Sequence, residues 1–275
     1  MQKEIINYLS NHCGLFTENF RKVTESFDAD AIHDMRVAFK RIRAVYLLAE
    51  HIDHKAFSAR VNEGKLRLLF RYSGRMRDAQ VQQELIARLA EENHTTCHEY
   101  MSHLEKLEKK AIRKFRTFIS TIDAGTELAA GAEKAGQLFQ QSGPETIRTH
   151  LITIVDELFE KATQLRSTGN SDETLHEIRR RLKQCHYLLS TFSTDDPELP
   201  RLKTTLKRLD KVNEMLGDWH DHVVAVEYLS KFITGHRDPG EAGFSRFEML
   251  QAHTMAKRDE LRVRILAYAG TKLGI

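Results

Sequence analysis

IHDMRVAFKRIRAVYLL, residues 32–48, carries two periodic signals at once. At about 100° per residue, Ile32, Met35, Phe39, Ile42 and Tyr46 fall on one helical face. His33, Arg36, Lys40 and Arg43 fall in a sector about 80° wide directly beside it. Charges on an ordinary amphipathic helix spread over its water side. Lys and Arg at the edge of an apolar stripe often lay their stems on the core and keep their heads wet, which explains any one of these residues. The set is harder to explain that way. No acidic residue is expected in the row, and like charges along a helix repel by a few tenths of a kcal/mol per pair. Such a row is sensible if an anion fills it. Arg presents a planar fork to oxyanions, Lys a mobile point charge, and His a ring N–H.

The same pattern returns later in the chain. At an offset of 143, IHDMR meets LHEIR, so His33, Arg36 and Lys40 align with His176, Arg179 and Lys183. Ile32, Met35, Phe39, Ile42 and Tyr46 align with Leu175, Ile178, Leu182, Cys185 and Leu189. Without a gap, Gly74 meets Gly217, Asp78 meets Asp221 and Val81 meets Val224. One offset held over so many positions marks an internal duplication. The expected units are 1–143 and 144–275, joined at QQSGPE, residues 140–145, whose Gly-Pro opens a new helix.

The 275 residues are 41% hydrophobic and 29% charged, with four prolines and long runs rich in Leu, Ala, Glu, Lys and Arg, which argues for an all-α fold. The periodicity predicts helices over 2–25, Asp28 to about 51, 55–73, 79–92, 96–121 and a shorter one to about 139. In the second unit it predicts 145–166, 172–192, 198–216, 222–234 and 241–269. Asp28 and Ser171 are expected N-caps. Ser73-Gly74 is expected to break a helix, with Asp78 and its partner Asp221 capping the next. DDPELP, residues 195–200, reads as a turn. Duplicated helical units with short loops predict two bundles about a pseudo-twofold axis.

Cys13, Cys97 and Cys185 are widely spaced and odd in number, so a disulfide framework is not expected. No run approaches about 18 apolar residues, and MQKEIINYLS has no signal-peptide core, so a cytoplasmic protein is expected. The net charge of +3 argues little by itself. Its distribution says more: between residues 31 and 88, twelve Lys or Arg stand against six Asp or Glu. Lys65, Arg67, Arg71, Arg75 and Arg77 extend the basic surface. In the second unit Arg41, Arg67, Arg71 and Arg75 become Gln184, Asp210, Glu214 and Asp218, which leaves those four outside any symmetric site. Lys65 keeps a basic partner in Arg208.

HDMRVAFKRIRA with SGRMRDAQV, and LHEIRRRLKQCH with LGDWHDHVV, resemble the two halves of the CHAD domain, the conserved-histidine α-helical domain. The resemblance covers nearly the whole chain. It implies an all-helical fold of two bundles with pseudo-twofold symmetry, a basic central groove that binds inorganic polyphosphate, and association with polyphosphate granules. Carried over by motif, the binding positions are His33, Arg36, Lys40, Arg43, Arg77, His176, Arg179, Lys183 and His220. His186 and His220 stand where the first unit has Arg43 and Arg77, so the second unit is expected to bind more weakly. With the residues added from charge pattern, the expected polyphosphate site is completed by Arg41, Lys65, Arg71, Arg75, His186 and Arg208.

Two other functions compete. His33-Asp34 and His220-Asp221 have the dipeptide that metal-dependent phosphohydrolases use, but neither is repeated as His-Asp at the 143 offset, and on a helix Asp34 points about 100° from His33. His94, Cys97 and His98 offer a further metal set without a counterpart in the second unit. RNA is the other rival, since basic rows bind any phosphate backbone. The row is not interleaved with aromatics, as single-strand binding usually requires. No nucleophile–base pair or Gly-rich phosphate loop is evident, so binding without catalysis and without a cofactor is expected.

Overall fold

A computed structural model describes residues 1–92, 94–192, 201–235 and 244–273. The chain is all-α. The described helices are α1 (Gln2–Ser26), α2 (Ala29–Ile52), α3 (Ala59–Glu63), α4 (Leu66–Glu92), α5 (His98–Ile119), α6 (Ala124–Gln141), α7 (Pro144–Thr168), α8 (Asp172–Leu189), α9 (Leu202–Gly235) and α10 (Phe244–Tyr268), followed by a π turn, Ala269–Leu273.

Helix starts follow side-chain chemistry. Asp28 accepts the Ala31 N–H at 2.8 Å, and Ser171 accepts the Thr174 N–H at 3.2 Å. Each satisfies an N-terminal donor that the helix leaves open. Pro144, in the first turn of α7, needs no N–H there. The 195–200 turn lies outside the described residues.

The expected breaks are corrected. α4 runs unbroken through Ser73, Gly74 and Asp78, and α9 through Gly217 and Asp221. Asp78 and Asp221 are therefore helix-interior residues, not caps. The chain turns earlier, at Gly64, whose φ of +47° suits glycine and where a Cβ would sit 2.9 Å from the Glu127 carboxylate. At Gly74 a Cβ would lie 3.1 Å from the Arg36 guanidinium. The glycine is there for an arginine on another helix. Nothing in the structure explains Gly217, which has no neighbour within 4 Å of such a Cβ.

The apolar stripe of the opening stretch is committed to packing. Ile32, Met35, Phe39, Ile42 and Tyr46 are all essentially buried, as are Leu175, Ile178, Leu182 and Cys185. They belong to one core that also takes in α1, α4, α6 and α7. A second, smaller core joins Leu85, Ile86 and Leu89 of α4 to Leu229 and Phe232 of α9, Phe247 of α10 and Tyr100 of α5. Both cores draw on both sides of residue 143, so the chain has no apolar seam there. Burial of these stripes is the main stabilising term. It holds α2 and α8 rigid, with their polar edges side by side. Trp219 and Met76, equivalent at the 143 offset, are both fully buried packing residues.

Candidate functional site

The two basic rows face one another. Lys40 of α2 is electrostatically coupled to Lys183 and Arg179 of α8, and His33 to Lys183. His220 of α9 is coupled to Arg179, His176, Lys183 and Lys40, with its ring centroid 5.1 Å from that of His176. A cavity of about 450 Å³ opens along this seam, with Lys40, Arg43 and Phe70 on one side and Arg179, Lys183 and Tyr187 on the other. The rows thus share one cleft.

Arg36 is held in place. Arg36 donates to the Phe70 carbonyl at 2.5 Å and to Ser73 Oγ at 3.1 Å, and its guanidinium lies 4.1 Å above the Phe70 ring. This is the close approach that Gly74 permits. Burial lowers the Arg36 pKa to about 10, against the pull of Asp78, so the group stays charged at neutral pH. Lys40 and Lys183 form no ion pair and no hydrogen bond among the described residues. Burial, and then Lys183, Arg36 and Arg179, push Lys40 well below the usual lysine range. Burial and Arg179 bring Lys183 down to about 8. Arg179 is lowered by burial, with Asp221 opposing. The histidines follow: His33 and His176 are lowered by burial and by neighbouring arginines, and His220 falls to about 3. Crowded cations and restricted hydration both disfavour the charged form, and here they act together.

The row is not free of acid, which corrects the expectation from α2 alone. Asp78 of α4 and Asp221 of α9 stand behind the arginines, coupled to Arg36 with Lys40 and to Arg179 respectively. Neither forms an ion pair among the described residues. Burial raises both, Asp221 to about 6, and the cations only partly offset it. Asp78 still contacts water although protein crowds it, as a carboxylate in a cleft wall does. The sequence signal was present, since Arg77-Asp78 and His220-Asp221 occupy matching positions, but a capping role accounted for it locally. Phe70, the ring beneath Arg36 and Lys40, has no aromatic counterpart at the 143 offset and was not anticipated.

The remaining expected positions divide between the edge of the cleft and other surfaces. Arg43 is at the rim, 2.8 Å from buried Glu63, which Arg67 also approaches at 3.5 Å. Arg77 pairs with Glu84 at 3.3 Å and remains coupled to His33. Arg41 turns to His12 Nε2 at 3.4 Å, with Tyr187 beneath it. His186 pairs with Asp210 at 2.7 Å. Lys65 engages Glu127, and Arg208 donates to the Lys272 carbonyl. Arg71 lies over the Tyr72 ring, and Arg75 lines a separate groove against α5. The shared centre is therefore His33, Arg36, Lys40, Arg77, His176, Arg179, Lys183 and His220. Among the described residues no three His, Cys, Asp or Glu side chains gather as metal ligands, at His94, Cys97 and His98 or elsewhere. No described helix is long and apolar enough to cross a membrane.

Comparison with known proteins points to one family. Residues 7–230 match the family model of the CHAD domain. The crystal structure of the CHAD domain from the plant Ricinus communis superposes with a TM-score of 0.72 at 16% identity, covering 100% of this chain and 92% of that one. PptA from Streptomyces chartreusis gives 0.67 at 15% identity, covering 98% of each chain. At such identities the likeness is one of fold. No curated protein matches the chain. The repeated His-x2-Arg-x3-Lys helices and the family match over most of the sequence together establish that the chain belongs to the CHAD domain family.

Proposed function

We propose that the chain binds inorganic polyphosphate in the cleft between α2 and α8, without turning it over, and that this binding places it at polyphosphate granules in the cytoplasm. The observation that carries the reading is the Lys40–Lys183 pair: two lysines from different helices, close enough to repel and in no ion pair among the described residues, with Asp78 and Asp221 only partly offsetting their charge. A polyanion threaded between them relieves the repulsion, favours the charged form of both amines and releases its own counterions. The arginines behind them offer forked donors to phosphate oxygens. The cleft's rings are Phe70, which lies beneath Arg36, and Tyr187, which is buried beneath Arg41, so a base finds little to stack on. A chain of bare phosphates requires no such surface. Internal symmetry fits the same reading, since Arg36/Arg179 and Lys40/Lys183 lie on either side of one path, and we read 1–143 and 144–275 as two repeats of a single domain.

The test is calorimetry with polyphosphate and with RNA of matched charge, beside an assay for released phosphate with and without divalent metal. Tighter binding of polyphosphate with no release supports the proposal. Preference for RNA would move the assignment to nucleic-acid binding, and metal-dependent release to a phosphohydrolase.

A further inference from the structure

A second basic surface lies apart from the cleft, on the side of α4 that meets α5. There a groove of about 530 Å³ is floored by Tyr72 and Phe118, whose ring centroids are 4.9 Å apart at 32°. Both rings are half-buried. Arg75, Arg113 and Lys114 line its walls, and no acidic side chain does. Their charged groups make no ion pair and donate no hydrogen bond among the described residues. Arg71 stands with its guanidinium 5.9 Å from the Tyr72 centroid. The two rings stay partly open to water between the cations.

Helix packing alone does not require this chemistry. The chain contains the equivalent groove at the 143 offset, between α9 and α10, with a volume of about 580 Å³. At the positions of Arg75, Arg113, Thr117 and Phe118 it has Asp218, Ala256, Glu260 and Leu261. The fold thus makes the groove twice; the second copy keeps a lysine at the Lys114 position, Lys257, but only the first is floored by a Tyr–Phe pair and lined by cations with no acid among them. A surface that merely had to be soluble is served equally well by the mixed charges of the second copy. Cations that flank open aromatic faces recognise a flat ring joined to a phosphate, and the groove is of the size that holds a small ligand.

We propose that the α4/α5 groove is a second binding site that takes a base-bearing phosphate, the base stacked on Tyr72 and Phe118 and the phosphates held by Arg75, Arg113 and Lys114. The ligand's source is either a free nucleoside triphosphate or a single-stranded RNA segment, which share this chemistry. The site is independent of polyphosphate binding in the cleft.

The test is titration with ATP, inorganic triphosphate and a short oligoadenylate. ATP is expected to bind about tenfold or more tighter than triphosphate, the contribution of one stacked base. Tyr72→Leu should abolish that preference and keep triphosphate binding. Arg113→Gln with Lys114→Gln, both on exposed positions, should weaken all three ligands. Lys40→Gln with Lys183→Gln should leave ATP affinity unchanged while polyphosphate affinity falls. Oligoadenylate tighter than ATP identifies a strand as the source, and the reverse a free nucleotide; either supports the site. Equal affinity for ATP and triphosphate, no ATP binding, or loss of ATP binding in the Lys40/Lys183 variant overturns it. The ATP-to-triphosphate ratio in the Lys40→Gln/Lys183→Gln variant, whose cleft no longer competes for triphosphate, decides the matter even if Tyr72→Leu fails to fold.

Discussion

Replacing Lys40 and Lys183 together by Gln removes two charges from the cleft and leaves its helices untouched, because both side chains are without ion pairs among the described residues. The cationic groups at the shared centre are Arg36, Lys40, Arg77, Arg179 and Lys183. If each neutralises one phosphate, the affinity should fall with salt on a log–log slope of about −3.5, at about −0.7 per contact on a flexible single chain. From about 50 to 200 mM salt that is a loss of about 100-fold. With three contacts left the slope becomes about −2, and the loss over the same range about 20-fold. The assay is fluorescence anisotropy with end-labelled polyphosphate at four or more salt concentrations, with circular dichroism as the check on helix content. A slope that is the same in the wild type and the variant, at equal helicity, refutes the reasoning, since the two lysines then contact no phosphate.

The free protein should carry a cost for its site. Lys40→Met keeps the stem and removes the repelled charge, so it should raise stability by about 0.5–1 kcal/mol, or Tm by about 2 °C, in a ligand-free thermal melt. Polyphosphate binding should take up protons. The anion raises the pKa of Asp221, which starts near 6, and of the depressed His33, His176, His220, Lys40 and Lys183. All these changes are upward, so affinity should increase as pH falls from about 8 to 5, and calorimetry in buffers of different ionisation enthalpy should show uptake, not release. Gly131→Ala should destabilise by about 1–3 kcal/mol, because a Cβ there collides with Tyr46 Oη and lies 2.9 Å from the Asn62 carbonyl. Gly136→Ala, with nothing within 4 Å, should be neutral or stabilising by up to about 1 kcal/mol, and urea titration of both glycine variants checks the two values.

Helix type and most termini were legible because their causes are local. Asp28 and Ser171 cap the helices they were expected to cap, and Pro144 opens the helix it was expected to open. The breaks at Ser73-Gly74 and before Asp221 failed because their cause is not local. Gly74 meets Arg36 from a helix some forty residues earlier, and Asp78 faces that arginine's charge. A glycine and an aspartate four residues later read the same whether they stop a helix or receive a distant cation. The centre of the site was legible for a complementary reason. His33, Arg36, Lys40 and their partners repeat at a fixed offset, and repetition signals long-range juxtaposition. Arg71 and Arg75 were drawn in by charge density, and Lys65 with Arg208 by a shared charge at the 143 offset, neither of which says which side of a helix faces which neighbour. In the structure α4 turns Phe70, Ser73 and Arg77 toward the cleft and Tyr72 and Arg75 toward α5.

A crystal structure of the chain with a short polyphosphate tests the central claim most directly. The chain of phosphates should lie between α2 and α8, with oxygens about 2.7–3.0 Å from both Lys40 Nζ and Lys183 Nζ and with Arg36 and Arg179 behind them. Phosphate density confined to other surfaces, with the two lysines still facing an empty cleft, would contradict the account.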